Sequence, residues 1–452
     1  MKSTIRLRYA PSPTGDGLHI GNARTALFNY LFACRYKGCL IIRIEDTDLV
    51  RHVTNSEMKQ LSQLKWLGIK WVEGPDIGGL LGPYRQSERL HIYQKYTKIL
   101  LDKGLAYKEY QQDSINKFVV RFKVPLQQKY EFDDLIRGRL CFESKDIEDW
   151  IIIKENGYPT YNYAAAIDDY LMQISHVLRG EEHITNTPKQ IMIYQAFGWQ
   201  IPFFAHMSLI LNENKKKLSK RDTSTDQFVE KYIDLGYLPE SLFNFLFLLG
   251  FSPKSNQTIF SSEEIIALFN QERFIKSSAV FDVAKLSFIN KQHLRNMPFS
   301  ELVDKANFFL KKSDIFLKFE WLTKMILLFK DRIHYIKEIV DLYYLFFKNE
   351  NKITEDCIAF LRINKGVEVA NFLYHLLNKL DNLESYSIKM IVDKLAQQLD
   401  INIKTMFRIT RIVCTHKKYG PDLFVYLELL GKKKVLNNIQ STLVLNINGK
   451  IQ

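Results

Sequence analysis

The sequence predicts an α/β fold followed by an all-helical domain, and three observations carry that reading. Residues Ile5 to Ile44 spell one strand–helix–strand unit. Helical and strand patterns alternate again from Tyr161 to Ile210. No proline occurs between Pro298 and Pro421, where apolar residues recur at helical spacing. A chain of 452 residues is also too long for one hydrophobic core, so at least two domains are expected.

Taken in order, Ile5 to Tyr9 reads as a short strand, Ala10-Pro11-Ser12-Pro13-Thr14-Gly15-Asp16-Gly17 as a loop, and Gly21 to Lys37 as a helix. Past Gly38 the run Cys39-Leu40-Ile41-Ile42-Arg43-Ile44 has the character of a buried strand, closed by Glu45-Asp46-Thr47-Asp48. Ser87 is placed to cap a helix that stops at Gly104. From Lys108 to about Ile153 the pattern shortens to alternating runs such as Phe118-Val119-Val120-Arg121-Phe122-Lys123-Val124, a small strand-rich insertion. In the C-terminal third, Leu322, Met325, Ile326, Phe329, Ile333, Ile336 and Val340 keep helical spacing, and no internal repeat is visible.

With 46% hydrophobic and 25% charged residues the composition is that of an ordinary globular protein without low-complexity segments. The N-terminal residues lack the apolar stretch of a secretion signal and no window offers 18 uninterrupted apolar residues, so a soluble, cytoplasmic protein without a membrane partner is expected. Five scattered cysteines (Cys34, Cys39, Cys141, Cys357, Cys414), never spaced Cys-x-x-Cys, fit buried thiols in a reducing compartment rather than disulfides or a zinc cage. A formal charge of +13 makes polyanions natural partners, although many basic proteins bind no nucleic acid.

Two segments carry chemistry. The loop before the first helix holds Gly15, Gly17 and Gly21, but not as Gly-x-Gly-x-x-Gly and with no Gly-Lys-Ser/Thr after it. This argues against the usual dinucleotide fold and against a P-loop. A phosphate could still meet the free N–H groups and positive dipole end of that helix, and His19 could add a donor. The second segment, Lys215-Lys216-Lys217-Leu218-Ser219-Lys220-Arg221-Asp222, packs five cations into seven residues; taken alone it is a solvated basic turn.

Together these segments resemble class I aminoacyl-tRNA synthetases. Pro11 to Gly21, with Gly15, His19 and Ile20 inside it, is similar to the first signature of that class. Lys217-Leu218-Ser219-Lys220-Arg221 is similar to the second. The Ala10 to Gly15 lead-in, Arg43-Ile44-Glu45-Asp46-Thr47-Asp48, Pro83-Tyr84-Arg85-Gln86-Ser87-Glu88-Arg89 and Arg179-Gly180-Glu181-Glu182-His183 narrow the resemblance to the bacterial glutamyl branch, over nearly the whole chain. It implies a Rossmann-like catalytic domain with its first half in 1–105 and its second half, with stem-contact helices, in 191–300. A shortened insertion at 106–190 would bind the acceptor end, and an all-helical domain at 301–452 would bind the anticodon.

The resemblance also implies roles. Magnesium-bound ATP would meet His19, Gly21, Glu182, Ile210, Lys217 and Lys220, with His19 and the two lysines stabilising charge on the phosphates. L-glutamate would meet Arg8 and Arg179 through its carboxylates, Glu45 through its ammonium, and Ala10, Ser12 and Tyr161 besides; Tyr161 could otherwise be a core aromatic. Arg332 would read the anticodon, and eight basic residues between Lys404 and Lys434 would track phosphates of tRNA(Glu), with charging of tRNA(Gln) left open as well. A monomer is implied. Three features depart from the branch: Asn22 ends the first signature, Ala165 stands where a polar residue often follows the pocket tyrosine, and no cysteine follows Ala106-Tyr107, so no zinc is expected. A queuosine-modifying relative lacks a helical domain, a glutaminyl enzyme carries β-barrels instead, and a non-catalytic paralogue would not need His19, Lys217 and Lys220.

Overall fold

The computed structural model describes residues 5–111, 114–216, 227–349 and 352–445. Its chain divides into two compact units, one up to His293 and one from Leu294 onward. The division falls slightly ahead of the 300/301 boundary expected from sequence.

Strands of the first unit are β1 (Arg6–Tyr9), β2 (Cys39–Ile42), β3 (Ala106–Gln111), β4 (Ser114–Phe122), β5 (Lys129–Asp134), β6 (Gly138–Glu143), β7 (Trp150–Ile153), β8 (His176–Gly180) and β9 (Phe203–Met207), followed by the short pair β10 (Ile210–Leu211) and β11 (Ala279–Val280). Six form one sheet in the order β2-β1-β8-β9-β5-β6, parallel except for the β5–β6 hairpin. Since β2 lies on one side of β1 and β8 on the other, the strand order switches there, and ligands of open parallel sheets bind beyond the carboxyl ends of strands at such a point.

Helix α1 (Ile20–Arg35) packs against β1, β2 and β8. After α2 (Ser56–Trp66) and α3 (Leu90–Asp102), helices α4 (Tyr161–Leu171) and α5 (Thr187–Phe197) share a buried cluster with Ile41, Val177 and Phe204 of the sheet. Leu40 and Ile42, which alternate with Ile41 along β2, are equally buried, so both faces of the sheet are covered.

Three local readings change. The strand expected to reach Ile44 ends at Ile42, and Ile44 makes only an isolated bridge to Arg85. Ser87 does not cap a helix: its backbone N–H and hydroxyl both donate to Asp46, at 2.8 and 2.5 Å, and α3 starts at Leu90 after a 3-10 turn. The stretch 106–190 is not one separate body. Only β3, β4 and β7 form a sheet of their own, whereas β5, β6 and β8 belong to the central sheet.

In the second unit, helices run from Phe299–Lys312 to Lys432–Val444 around a core that includes Leu361, Val369, Leu373, Val392, Ile409 and Val435. The periodic residues from Leu322 to Val340 are all buried, but they do not form one helix: the first four lie in Phe319–Phe329, Val340 lies in Glu338–Tyr343, and Ile333 and Ile336 fall in the link between them. Among the cysteines, Cys357 and Cys414 are buried as expected, Cys34 and Cys39 are half-buried, and Cys141 is exposed. No helix of the described residues is long and apolar enough to cross a membrane.

Candidate active site

A cleft of about 590 Å³ opens at the switch point. Its walls come from the end of β1 and the following loop (Arg8, Ala10, Pro11, Ser12), from Asn22 and Thr25 of α1, from Glu45 beyond β2, from Tyr161 at the start of α4, and from Arg179, Gly180 and Glu182 at the end of β8. All six residues expected around glutamate therefore line one cavity, together with Glu182. A Cβ at Gly180 would collide with the Glu182 carboxylate, so the glycine lets that acid fold back over the strand end.

Under the cleft lies a layer of buried charges. Asp169 accepts both carboxylate contacts from Arg8 Nε, at 3.1 and 3.2 Å, and 2.6 Å away a bond from Arg43 Nη1. Arg43, fully buried, also donates to Glu45 at 3.0 Å. Its neighbour Asp168 accepts from Arg89 Nε (2.7 Å), Tyr93 Oη (2.7 Å) and Gln86 Nε2 (2.9 Å). Burial works against the charge on Arg43, but Asp169, Asp168 and Glu45 outweigh it and hold the guanidinium ionised. Because Arg8 spends Nε on Asp169, its two terminal nitrogens have no hydrogen-bond acceptor among the described residues while the side chain lines the cleft.

Arg179 is held differently. Its donors go to His206 Nε2 (3.1 Å), Gln190 Oε1 (2.9 Å), Thr187 Oγ1 (2.7 Å) and, at longer range, Tyr161 Oη (3.5 Å) and the His183 carbonyl (3.4 Å). None of these is a carboxylate. Burial accordingly lowers its pKa, although the guanidinium remains charged at neutral pH. Arg43 and Arg89 are thus paired with Asp168, Asp169 and Glu45, whereas the outer nitrogens of Arg8 and the whole of Arg179 have no carboxylate in hydrogen-bond contact among the described residues.

The first helix opens as its sequence requires. His19 is its N-cap: the Nδ1 atom accepts from the Gly21 N–H at 3.0 Å. A backbone N–H can only donate, so in the neutral ring the proton sits on Nε2, which is 3.2 Å from Gln227 Oε1. His19 therefore presents a donor away from the helix. A Cβ at Gly21 would sit 3.3 Å from His19 Nδ1, a tight contact that glycine avoids. Arg24, one turn on, is buried and donates to the carbonyls of Ser208 and Leu249, tying α1 to the segment that leads into β10 and Ile210. His19, Gly21 and Ile210 do not line the cleft itself. Lys217, Leu218, Ser219, Lys220 and Arg221 lie outside the described residues.

In the second unit Arg332 donates to the Gly420 carbonyl at 2.9 Å, and several of the basic residues after Lys404 also hold main-chain oxygens: Arg411 that of Pro421, Lys417 that of Leu345, Lys434 that of Phe347. They anchor their own unit as well as charging it. Sequence reasoning quoted Arg43 and Arg89 within motifs but gave them no role, and it missed Asp168 and Asp169. A pair of adjacent acids in the otherwise apolar stretch Ala164 to Leu171 was the available signal, since buried acids need cations.

A parallel sheet with its cleft at the switch point, a histidine-capped first helix and a following helical unit together make the architecture of a class I aminoacyl-tRNA synthetase. The chain belongs to that family: the description "tRNA synthetases class I (E and Q), catalytic domain" matches residues 4–115 and 109–288, and "Anticodon binding domain" matches 301–443. It is 48% identical to a glutamate–tRNA ligase of Acholeplasma laidlawii, over 97% of this chain and 98% of that one, and 43% identical to that of Bacillus subtilis, over 98% and 100%. Among solved structures, a glutamate tRNA ligase from Elizabethkingia meningosepticum in complex with its amino acid superposes with a TM-score of 0.88 at 31% identity, covering 98% of this chain and 99% of that one.

Proposed function

We propose that the protein is a glutamate–tRNA ligase: it joins L-glutamate to AMP at the expense of ATP and passes the glutamyl group to the 3′ end of tRNA(Glu). The observation that carries this reading is the cleft lined by two guanidiniums, with the terminal nitrogens of Arg8 lacking an acceptor among the described residues and Arg179 held by neutral partners, beside the Glu45 carboxylate. Glutamate offers two carboxylates to the two guanidiniums and one ammonium to Glu45, and so matches it group by group. The names of the similar proteins support the same reading.

In this reading Arg8 and Arg179 take the carboxylates, Ser12 and Tyr161 add hydroxyls, Ala10 leaves room beside the strand end, and Glu45 holds the ammonium. An α-carboxylate oxygen attacks the α-phosphorus of ATP, and the bond to the bridging oxygen breaks, releasing magnesium diphosphate. The nucleophile is already ionised, so positioning and charge stabilisation suffice. His19 through Nε2–H, with Lys217 and Lys220, stabilises the phosphoryl oxygens; Gly21, Glu182 and Ile210 bound the nucleotide. A ribose hydroxyl of the tRNA then attacks the glutamyl carbonyl and AMP leaves. The sheet of β3, β4 and β7 receives the acceptor end, and the helical unit, with Arg332 and the basic residues after Lys404, receives the anticodon. The site of action is the cytoplasm, as a monomer.

The test is charging of purified tRNA(Glu) and tRNA(Gln) with labelled glutamate, wild type beside Lys220→Ala. Wild type should charge tRNA(Glu), and the variant should lose roughly 10²- to 10³-fold in rate, the scale of removing one donor from a developing anion, while binding tRNA nearly as well. Failure to charge either tRNA rejects the function; full activity of the variant rejects the role of Lys220. Charging of tRNA(Gln) as well would mark an enzyme of dual specificity.

Glu45 adds a pH prediction. Burial raises its pKa, with Arg43 and Arg8 pulling the other way, Asp169 adding to the rise, and Tyr161 the other titratable group nearby. A raised pKa means that the ionised form is lost as pH falls through it. The KM for glutamate should therefore climb in mildly acidic solution, above the titration of free glutamate's side chain at about 4.3. In Glu45→Gln this acid limb should vanish into a KM that is high throughout; a wild-type KM flat down to that titration refutes the assignment.

A further inference from the structure

We propose that Asp134 and His206 are positioning residues for glutamate recognition: they hold Arg179 over the cleft by offering it a neutral imidazole acceptor locked in one tautomer. This rests on the reading of Arg179 as a carboxylate-binding residue.

Arg179 and His206 are register partners on the adjacent parallel strands β8 and β9, and Asp134 ends β5, which pairs with β9 on the other side. His206 and the side chain of Asp134 are fully buried. The Asp134 Oδ1 atom is filled by three main-chain donors, the N–H groups of Ile136 (2.9 Å), Arg137 (2.8 Å) and His206 (3.2 Å). Oδ2 lies 2.6 Å from His206 Nδ1. An ionised carboxylate only accepts, so the imidazole proton is on Nδ1 and, in the neutral ring, Nε2 is left as an acceptor. That atom receives Arg179 Nε–H at 3.1 Å.

Burial lowers the pKa of His206, with Arg179 adding to the effect against the pull of Asp134, so the ring stays neutral and Nε2 open. Asp134 is held below the ordinary carboxylate range: burial would raise it, but His206 and the backbone donors prevail. The consequence is chemical. A carboxylate in direct contact with Arg179 would fix it equally well but cancel its charge. A neutral histidine fixes the guanidinium and leaves the charge for the ligand, while the distant Asp134 sets only the tautomer. Thr187 and Gln190, also neutral, complete the cradle.

An isosteric change separates this role from packing. In Asp134→Asn the three N–H donors keep an oxygen at the Oδ1 position, so the amide nitrogen takes the place of Oδ2 and donates to Nδ1. The ring proton must move to Nε2, where it opposes Arg179 Nε–H. The KM for glutamate should rise at least about tenfold, which corresponds to roughly 1.4 kcal/mol, with the KM for ATP nearly unchanged. His206→Asn, whose amide reaches only the Nδ1 position, should show the same rise. His206→Gln, which brings a carbonyl oxygen to the Nε2 position, should recover most of it. Arg179→Ala is measured in parallel. An unchanged glutamate KM in Asp134→Asn, equal losses in the two His206 variants, or a matching rise in the ATP KM overturns the proposal while a large effect of Arg179→Ala keeps the underlying reading. A glutamate KM that Arg179→Ala leaves unchanged overturns both.

Discussion

Replacing Arg8 with Leu should abolish most glutamate activation while leaving ATP binding close to wild type. The two terminal nitrogens of Arg8 are its only donors not already used on Asp169, so the substitution removes a charged fork from the cleft and not merely a packed side chain. Truncating one partner of a buried, hydrogen-bonded charge pair costs about 2–5 kcal/mol, or roughly 30- to 5,000-fold in kcat/KM. Asp169 keeps its bond to Arg43 in the variant, so the fold should survive. The same fork accounts for a preference for glutamate over glutamine, because an amide leaves part of it without an acceptor. Activation measured with cognate tRNA present is the check. A variant that activates glutamate normally, or a wild type that activates glutamine equally well, contradicts the pocket.

The second large effect is on stability. Asp168→Ala would leave Arg89, Tyr93 and Gln86 facing each other without their shared acceptor and would remove one of the carboxylates that surround Arg43. Breaking a buried pair by deleting one member costs about 3–5 kcal/mol, which in a unit of this size lowers the midpoint of thermal unfolding by roughly 10 °C. Since Asp168 lines no part of the cleft, the loss should appear in unfolding before it appears in the KM for glutamate. Calorimetry decides: a midpoint shift below a degree or two would mean that the arginines find other partners.

The parts of the site legible in the sequence are those that the family resemblance carried over, with a packing argument beside two of them. Arg8 inside a strand and the acid following Arg43-Ile44 are costly unless they serve a ligand or a partner, and both belong to short motifs. Asp168 and Asp169 could not be placed the same way. On a helix, two adjacent acids are ordinarily read as a solvent face, and only the tertiary position of Arg43 and Arg89 shows why they are buried. The Asp134–His206 link was invisible for a related reason, because it joins two strands brought together by sheet order. Sheet order also undid the reading of 106–190. Alternating apolar residues identify strands but not their neighbours, so nothing local distinguishes β5, which joins the central sheet, from β4, which does not. Ser87 was misread because its hydroxyl is claimed by Asp46, far away in the chain.

Two guanidiniums that line the cleft without a carboxylate against their outer nitrogens should make it receptive to small anions as well as to glutamate. Arg179 lines the cleft and is held among the described residues by neutral partners alone, so a monovalent anion of the medium should compete with glutamate for it. Apparent affinity for glutamate consequently depends on which anion fills the buffer, chloride against a bulkier and more weakly held one, even when ionic strength is held constant.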